Sequence, residues 1–203
     1  MFSFLSARHV VPLAALGLVL VAGGAFAQPS EDHSVNANHI KPLKNQAIPL
    51  NPYEAALAYE KLGDYPHAIE LLEPEAKEGA GFELAQLELG RSYLASANKA
   101  PTPDVALEDT KKGAAWIQVA AQSGLTEAQE QMARIYIEGG RFKVEPVEAG
   151  KWYVLWQANP KRFQAISKPF DPQLERKLKS TLTDAQWDQA RQAAMDLARH
   201  VTQ

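Results

Sequence analysis

The stretch that decides the fold is AAWIQVAAQSGLTEAQEQMARIYIEGG, which runs from Ala114 to Gly140. Its small and apolar residues recur at the three and four spacing of one helix face, and Gly124 interrupts the pattern near the middle. The stretch contains no cysteine, no histidine and no charged cluster that would indicate catalytic or metal chemistry. We therefore interpret it as two short helices joined by a tight turn.

Parts of this stretch recur elsewhere in the chain. Five residues near its end have counterparts 43 positions earlier, where Gly81, Ala85, Leu89, Gly90 and Tyr93 match Gly124, Ala128, Met132, Ala133 and Tyr136. Similarly, 113–116 aligns with 149–152 at an offset of 36. Such periods are typical of stacked helical hairpins, in which small residues stand where helices cross and aromatic residues fill the space between hairpins. One hairpin leaves an apolar face open, so stacking is required.

The chain after Pro52 consists of short alanine-rich segments with helical spacing, and it has no alternating run of strand length, which predicts an all-α domain over 52–203. A loop is expected around Pro101 and Pro103. In the last helix Thr183 can form a capping box with Gln186. We expect helices at about 52–62, 65–78, 82–96, 108–123, 126–139, 146–158, 171–180 and 184–200.

The N-terminal segment has the layout of a secretory signal peptide over 1–27. Arg8 and His9 precede an apolar run of about a dozen residues, and Ala25-Phe26-Ala27 forms a small-residue cleavage site. The run is short for a membrane span, although an uncleaved anchor stays an alternative. Residues 28–51 are polar, contain prolines and have no sustained period, as in a linker. The chain is therefore expected to be periplasmic or secreted, with no integral membrane segment after cleavage.

The repeated pattern resembles the Sel-one-like repeat, a relative of the tetratricopeptide repeat. One copy, at about 109–144, carries it on Trp116, Ala120, Ala121, Gly124, Ala128, Met132, Ala133 and Tyr136. The copy at about 64–97 has two extra residues near Gly79. The degenerate copy at 145–158 has Trp156 and Gln157 where the alanine pair is expected, and 159–203 would form a divergent C-terminal helical cap. The resemblance implies a right-handed α-solenoid of about three antiparallel helix pairs that works by binding proteins.

Composition excludes several function classes. The 203-residue chain has no cysteine and a formal net charge of −3, so a disulfide framework, a thiolate metal site and a cysteine nucleophile are excluded, and nucleic acid is a poor partner. No HExxH, GxSxG or phosphate-binding loop occurs. The histidines at 33, 39, 67 and 200 show no metal-ligand spacing. We therefore expect no catalytic residue, no metal and no cofactor.

Charged residues are grouped along the sequence. Six glutamates between Glu70 and Glu88 are expected to form a solvated face, at positions 70, 73, 75, 78, 83 and 88. Basic residues collect near the third copy, at positions 141, 143, 151, 161 and 162. The most economical interpretation is a solvated end, but opposite charges at the two ends would also help to steer a partner.

The expected function is protein binding without catalysis, as a scaffold or a regulator in the cell envelope, with an envelope complex or a membrane sensor as the partner. The alternative is a cell-wall-directed enzyme, either a peptidoglycan hydrolase or a β-lactam-binding protein. Trp116 and Trp152 should be core residues between hairpins, whereas Trp156 is the best candidate for an exposed anchor. The candidate partner-binding residues, on the first helices of two copies, are Lys112, Gln118, Val119, Gln122, Lys151, Leu155 and Trp156.

Overall fold

A computed structural model describes residues 51–164 and 167–201. The described residues form eight α-helices and one 3₁₀ turn, with no strand among them, as the all-α prediction requires. The predicted signal peptide lies outside the described residues, as does the linker except for Asn51. The helices are α1 (Pro52–Lys61), α2 (Tyr65–Lys77), α3 (Glu83–Ala97), α4 (Pro103–Gln122), α5 (Thr126–Glu138), α6 (Pro146–Ala158), α7 (Pro172–Thr181) and α8 (Asp184–Val201), and the 3₁₀ turn is Pro160–Phe163.

Local signals explain most of these boundaries. The side chains of Asn51, Asp64 and Asp171 accept hydrogen bonds from backbone N–H groups in the first turns of α1, α2 and α7. Gly81 and Gly124 occupy equivalent positions in the two aligned copies of the repeat. They precede α3 and α5 with φ of 96° and 83°. Only glycine adopts that backbone region without strain. The two turns therefore share one conformational requirement.

The start of α4 was predicted wrongly. The helix begins at Pro103, about a turn before the expected position 108, so Pro103 is not in a loop. The Thr102 side chain accepts a hydrogen bond from the backbone N–H of Val105, and proline is favoured at the first helical position because its missing N–H is not needed there. The additional turn places Ala106 in the core.

The capping box of α8 is confirmed. The Thr183 hydroxyl accepts a hydrogen bond of 3.3 Å from the backbone N–H of Gln186, and the Gln186 side chain accepts one of 3.0 Å from the Thr183 N–H. The apolar stripe of this helix faces α6, where Ala190 is fully buried and Trp187 is partly buried against the core. The apolar stripe of α8 is therefore packed on α6.

Consecutive helices from α1 to α6 pack mainly on their chain neighbours, and α8 packs on α6. Two clusters of buried apolar residues result, one formed by α1, α2 and α3 and the other reaching from α3 to α8. Leu89 belongs to the first cluster and Leu87 to the second, so α3 contributes to both. None of the helices formed by the described residues is long and apolar enough to cross a membrane.

Candidate partner-binding surface

The surface around Trp156 lies where α6 meets the 3₁₀ turn and the segment that leads into α7. The Trp156 ring is stacked with Tyr153 at 6.4 Å between centroids and lies 5.1 Å from the Phe170 ring. Phe170 also meets Tyr153 edge to face at 4.8 Å. Trp156 is therefore only half-exposed, since one side of its ring supports the C-terminal segment.

A surface cavity of about 190 Å³ opens beside Trp156. Its walls come from α3, through Arg91, from the first half of α5, and from the segment ending at Asp171. A second cavity, also of about 190 Å³, lies farther along α3 and α5 and shares Gln131 with the first. Side chains of α3 and α5, the second helices of their hairpins, line both cavities, and we call the two cavities together the groove.

Arg134 and three carboxylates form an ion-pair network at this groove. The Arg134 guanidinium contacts Asp171 at 2.7 Å, Glu138 at 3.0 Å and Glu130 at 3.3 Å. The hydrogen bond from Arg134 lowers the pKa of Asp171. Burial opposes the charge of Arg134, but the hydrogen bonds that it donates to its carboxylate partners raise the pKa of that guanidinium. Glu130 also accepts a hydrogen bond from the Asp171 N–H. The network ties α5 to the start of α7.

The four candidate residues on α4 differ in their exposure. Lys112 forms an ion pair with Glu108 and lies over the Tyr93 ring, with its Nζ 5.7 Å from the centroid. Gln118 and Gln122 are partly exposed, and Val119 is 40% exposed. Of the four, Val119 is thus the one that offers open apolar area.

The candidate residues on α6 are more covered than an open binding face would require. The Lys151 side chain is 15% exposed, pairs with Glu148 and lies over the Trp152 ring, and Leu155 packs against the core. Trp152 itself is 1% exposed, which confirms its prediction as a core residue, while Trp116 is half-buried against the cluster formed by α1, α2 and α3. Trp156 borders the groove, whereas the other six candidates line neither cavity.

The glutamates of α2 and α3 do not form one uniformly solvated face. Glu73 accepts a hydrogen bond of 2.5 Å from the Tyr93 hydroxyl, and burial together with this bond strongly raises the pKa of Tyr93. Glu88 pairs with Arg91, and Glu83 accepts a hydrogen bond from the Gly81 N–H. The described residues contain no grouping of histidine and carboxylate side chains suited to holding a metal ion. Glu73, Glu83 and Glu88 are thus engaged in hydrogen bonds or ion pairs.

Two buried glutamines, Gln86 and Gln129, were not predicted from the sequence. Nε2 of Gln86 donates a hydrogen bond to the carbonyl of Ala76, and Nε2 of Gln129 donates one to the carbonyl of Ala121. Both hydrogen bonds are 3.2 Å long. The glutamines are 43 residues apart, whereas the alanines are 45 apart, which matches the two extra residues of the earlier copy. The aligned Ala-Gln dipeptides at 85–86 and 128–129 were the available signal.

Asn159 completes this arrangement in the second copy. Its Nδ2 donates to the Gln129 side-chain oxygen at 3.1 Å and to the Gly124 carbonyl at 2.9 Å, so the end of α6 is held on the turn between α4 and α5.

Comparison with known proteins adds nothing to this geometry, since no family model, curated protein or solved structure matches the chain.

Proposed function

We propose that the chain is an exported helical-repeat protein of the Sel-one-like type that binds a protein partner in the cell envelope without catalysis. In this proposal α2–α3 and α4–α5 are two full repeats, α6 is the first helix of a degenerate third, and α7 and α8 form the cap. The helix pairs stack as a right-handed solenoid. A scaffold for an envelope complex and a regulator that restrains a membrane sensor both fit this role.

The observation that carries the proposal is the equivalence of Gln86 and Gln129. Each is buried near the start of the second helix of a hairpin, and each hydrogen-bonds a carbonyl near the end of the first helix. The same structural unit is therefore built twice, despite different turn lengths. Repeated units that cannot bury their apolar faces alone are the hallmark of stacked arrays, and such arrays present extended surfaces to protein partners.

Export can be tested directly on the purified protein. Expression of the full chain in a Gram-negative host, followed by cell fractionation and intact mass measurement, should give a periplasmic product that begins at Gln28. Ala25→Leu together with Ala27→Leu should block processing, because the cleavage site requires small residues. A cytoplasmic product that retains residues 1–27 would contradict this part of the proposal.

Partner binding can be tested by site-specific photocrosslinking in living cells. A photoreactive phenylalanine analogue would replace Val119 or Trp156, which are candidate partner-binding residues, or Phe163 in the 3₁₀ turn. As controls, it would replace Leu62 or Met195, which are exposed but are not candidates. We expect a discrete adduct with a protein, identifiable by mass spectrometry, from at least one of the first three positions and not from the controls. Absence of a defined adduct at every position would argue against a protein-binding function.

The competing enzyme hypothesis predicts a different outcome. Purified protein would be incubated with peptidoglycan and with a chromogenic β-lactam, and each glutamate or aspartate that lines the groove would be changed to its amide. Turnover abolished by one such substitution, with the melting temperature unchanged, would replace the binding proposal by a catalytic one.

A further inference from the structure

The segment between Glu148 and Asp171 contains no acidic residue, although the chain as a whole is acidic. It contains four basic residues, of which Lys151 is paired with Glu148. The other three are Lys161, Arg162 and Lys168, and no carboxylate of the described residues forms an ion pair with any of them. Among the described residues, this part of the surface therefore carries positive charge without a paired carboxylate.

The Arg162 guanidinium lies over two aromatic rings. Its Cζ lies 5.4 Å from the Trp156 centroid and 4.3 Å from the Phe163 centroid. Its Nε is buried and has no hydrogen-bond partner. A guanidinium stacked in this way has already lost much of its rotamer freedom, and the donor edge formed by its two terminal nitrogens, Nη1 and Nη2, matches a carboxylate.

Phe163 adds an apolar contact beside this guanidinium. At 77%, its exposure is the highest among the large apolar side chains of the described residues. The 3₁₀ turn that carries it is well anchored, since the Asn159 side chain accepts a hydrogen bond from the Lys161 N–H and Lys161 Nζ donates to the Ser123 carbonyl. Phe163 therefore projects from a fixed turn, which lowers the entropy cost of binding.

We propose that Arg162 and Phe163, flanked by Lys161 and Lys168, form the docking site for an acidic segment of a protein partner, in which a carboxylate pairs with Arg162 and an apolar side chain packs on Phe163. This inference rests on the proposed protein-binding function and names the chemistry of the partner. Half-buried Trp156 is then a positioning residue, because it orients Arg162 from behind.

A protein segment is favoured over an anionic membrane by the geometry of these groups. Membrane attachment by surface residues needs a cluster of basic side chains that extend freely and a sizeable apolar area. Here Arg162 is stacked against the protein surface, and Phe163 is the one large exposed apolar side chain of the 3₁₀ turn. Directional pairing with a carboxylate is therefore more favourable at this site than diffuse attraction to lipid headgroups.

The test is an NMR titration of the chain from Gln28 to Gln203 that follows the Nε–H resonance of Arg162 and the backbone amides of the turn. The probe is an acetylated peptide of six glutamates around one leucine, and its control is the same peptide with glutamines. We expect saturable shifts with the acidic peptide, which weaken as salt is added. Arg162→Gln and Arg162→Lys should each lower the affinity at least about tenfold, because neither keeps a stacked, forked donor.

A matched control is Lys143→Gln, which removes a basic side chain that is 83% exposed elsewhere on the surface. It should leave the affinity within about twofold of the parent, because exposed charges at a distance are screened. Circular dichroism melts of every variant separate loss of binding from loss of folding. Affinity that is unchanged in Arg162→Gln, or lowered equally by Lys143→Gln, would overturn the proposal.

Two further arms separate the alternatives. Shifts at the turn with phosphatidylglycerol vesicles, and none with the acidic peptide, would overturn the proposal in favour of a membrane contact. In the crosslinking experiment, an adduct that is insensitive to Arg162→Gln would overturn this docking site while leaving the protein-binding function intact. An adduct lost on Arg162→Gln and retained on Lys143→Gln would support both.

Discussion

A Cβ atom on Gly90 would lie 2.7 Å from the carbonyl oxygen of Gly113, and a Cβ atom on Gly113 would lie 2.7 Å from the carbonyl oxygen of Gly90. Helices α3 and α4 therefore cross with their backbones in direct contact, at the boundary between two hairpins. At the next boundary the aligned positions are Ala133 and Ala149, both fully buried. The chain thus places its smallest residues at its closest helix crossings.

Gly90→Ala tests this crossing. Alanine normally stabilises a helix relative to glycine by up to about 1 kcal/mol. Here the added methyl group would also meet Ile117 Cγ1 at 2.5 Å, so the helices must move apart. We expect a net loss of about 1 to 3 kcal/mol in the free energy of unfolding, measured with urea. A variant as stable as the parent would show that α3 and α4 are not in such close contact.

Trp152→Ala and Trp156→Ala should differ in stability. Trp152 is 1% exposed and its loss should cost about 3 to 5 kcal/mol. From the repeat pattern alone, replacement of Trp156 by the expected alanine should cost little. The structure changes that expectation, because the Phe170 and Tyr153 rings each contact Trp156, and such pairs contribute about 0.5 to 1.5 kcal/mol. Thermal melting should therefore show a large loss of stability for Trp152→Ala and a smaller one for Trp156→Ala. Equal losses of stability would place Trp156 fully in the core.

Gln129 and Asn159 should be energetically coupled. Asn159→Ala leaves the buried Gln129 oxygen without its donor, and Gln129→Met removes the bond to Ala121 as well. Each single change should cost about 1 to 3 kcal/mol, since a buried group loses its partner. A double-mutant cycle in urea should give a coupling energy of about 0.5 kcal/mol or more. Strict additivity would mean that the 3.1 Å contact makes no contribution to stability.

Asp171→Asn should change how stability depends on pH. The hydrogen bond from Arg134 lowers the pKa of Asp171 in the folded protein below its unfolded value of about 3.9. The ionised carboxylate therefore stabilises the fold above pH about 4, and this contribution is lost as the pH falls through the lower, folded pKa. The stability difference between parent and Asp171→Asn should thus shrink in acid. Urea unfolding at pH 7 and at about pH 3 measures this difference in the free energy of unfolding. A difference that does not change with pH would exclude a stabilising role of the ionised Asp171.

The sequence predicted the helices well because their signals are local. The glycines at 81 and 124 mark turns through their own backbone preference, and Thr183 with Gln186 marks a helix start within three residues. The start of α4 was misplaced because Thr102-Pro103 was interpreted as part of a loop, although threonine followed by proline is also a helix-start signal. The candidate site was predicted less well. Lys151 was predicted as a partner-binding residue, but its side chain is only 15% exposed and is paired with Glu148.

The sequence by itself determined where helices form, where they turn and which small residues stand at their crossings, because these properties depend on spacing along one short segment. The tertiary structure decided which polar side chains become partners. Arg134 and Asp171 are 37 residues apart, and Gln129 and Asn159 are 30 apart. Neither separation equals the 36- or 43-residue offset at which the sequence repeats. Arg162 faces Trp156 because of how the 3₁₀ turn folds back on α6. Such contacts depend on the packing of whole helices, and local spacing carries no information about it.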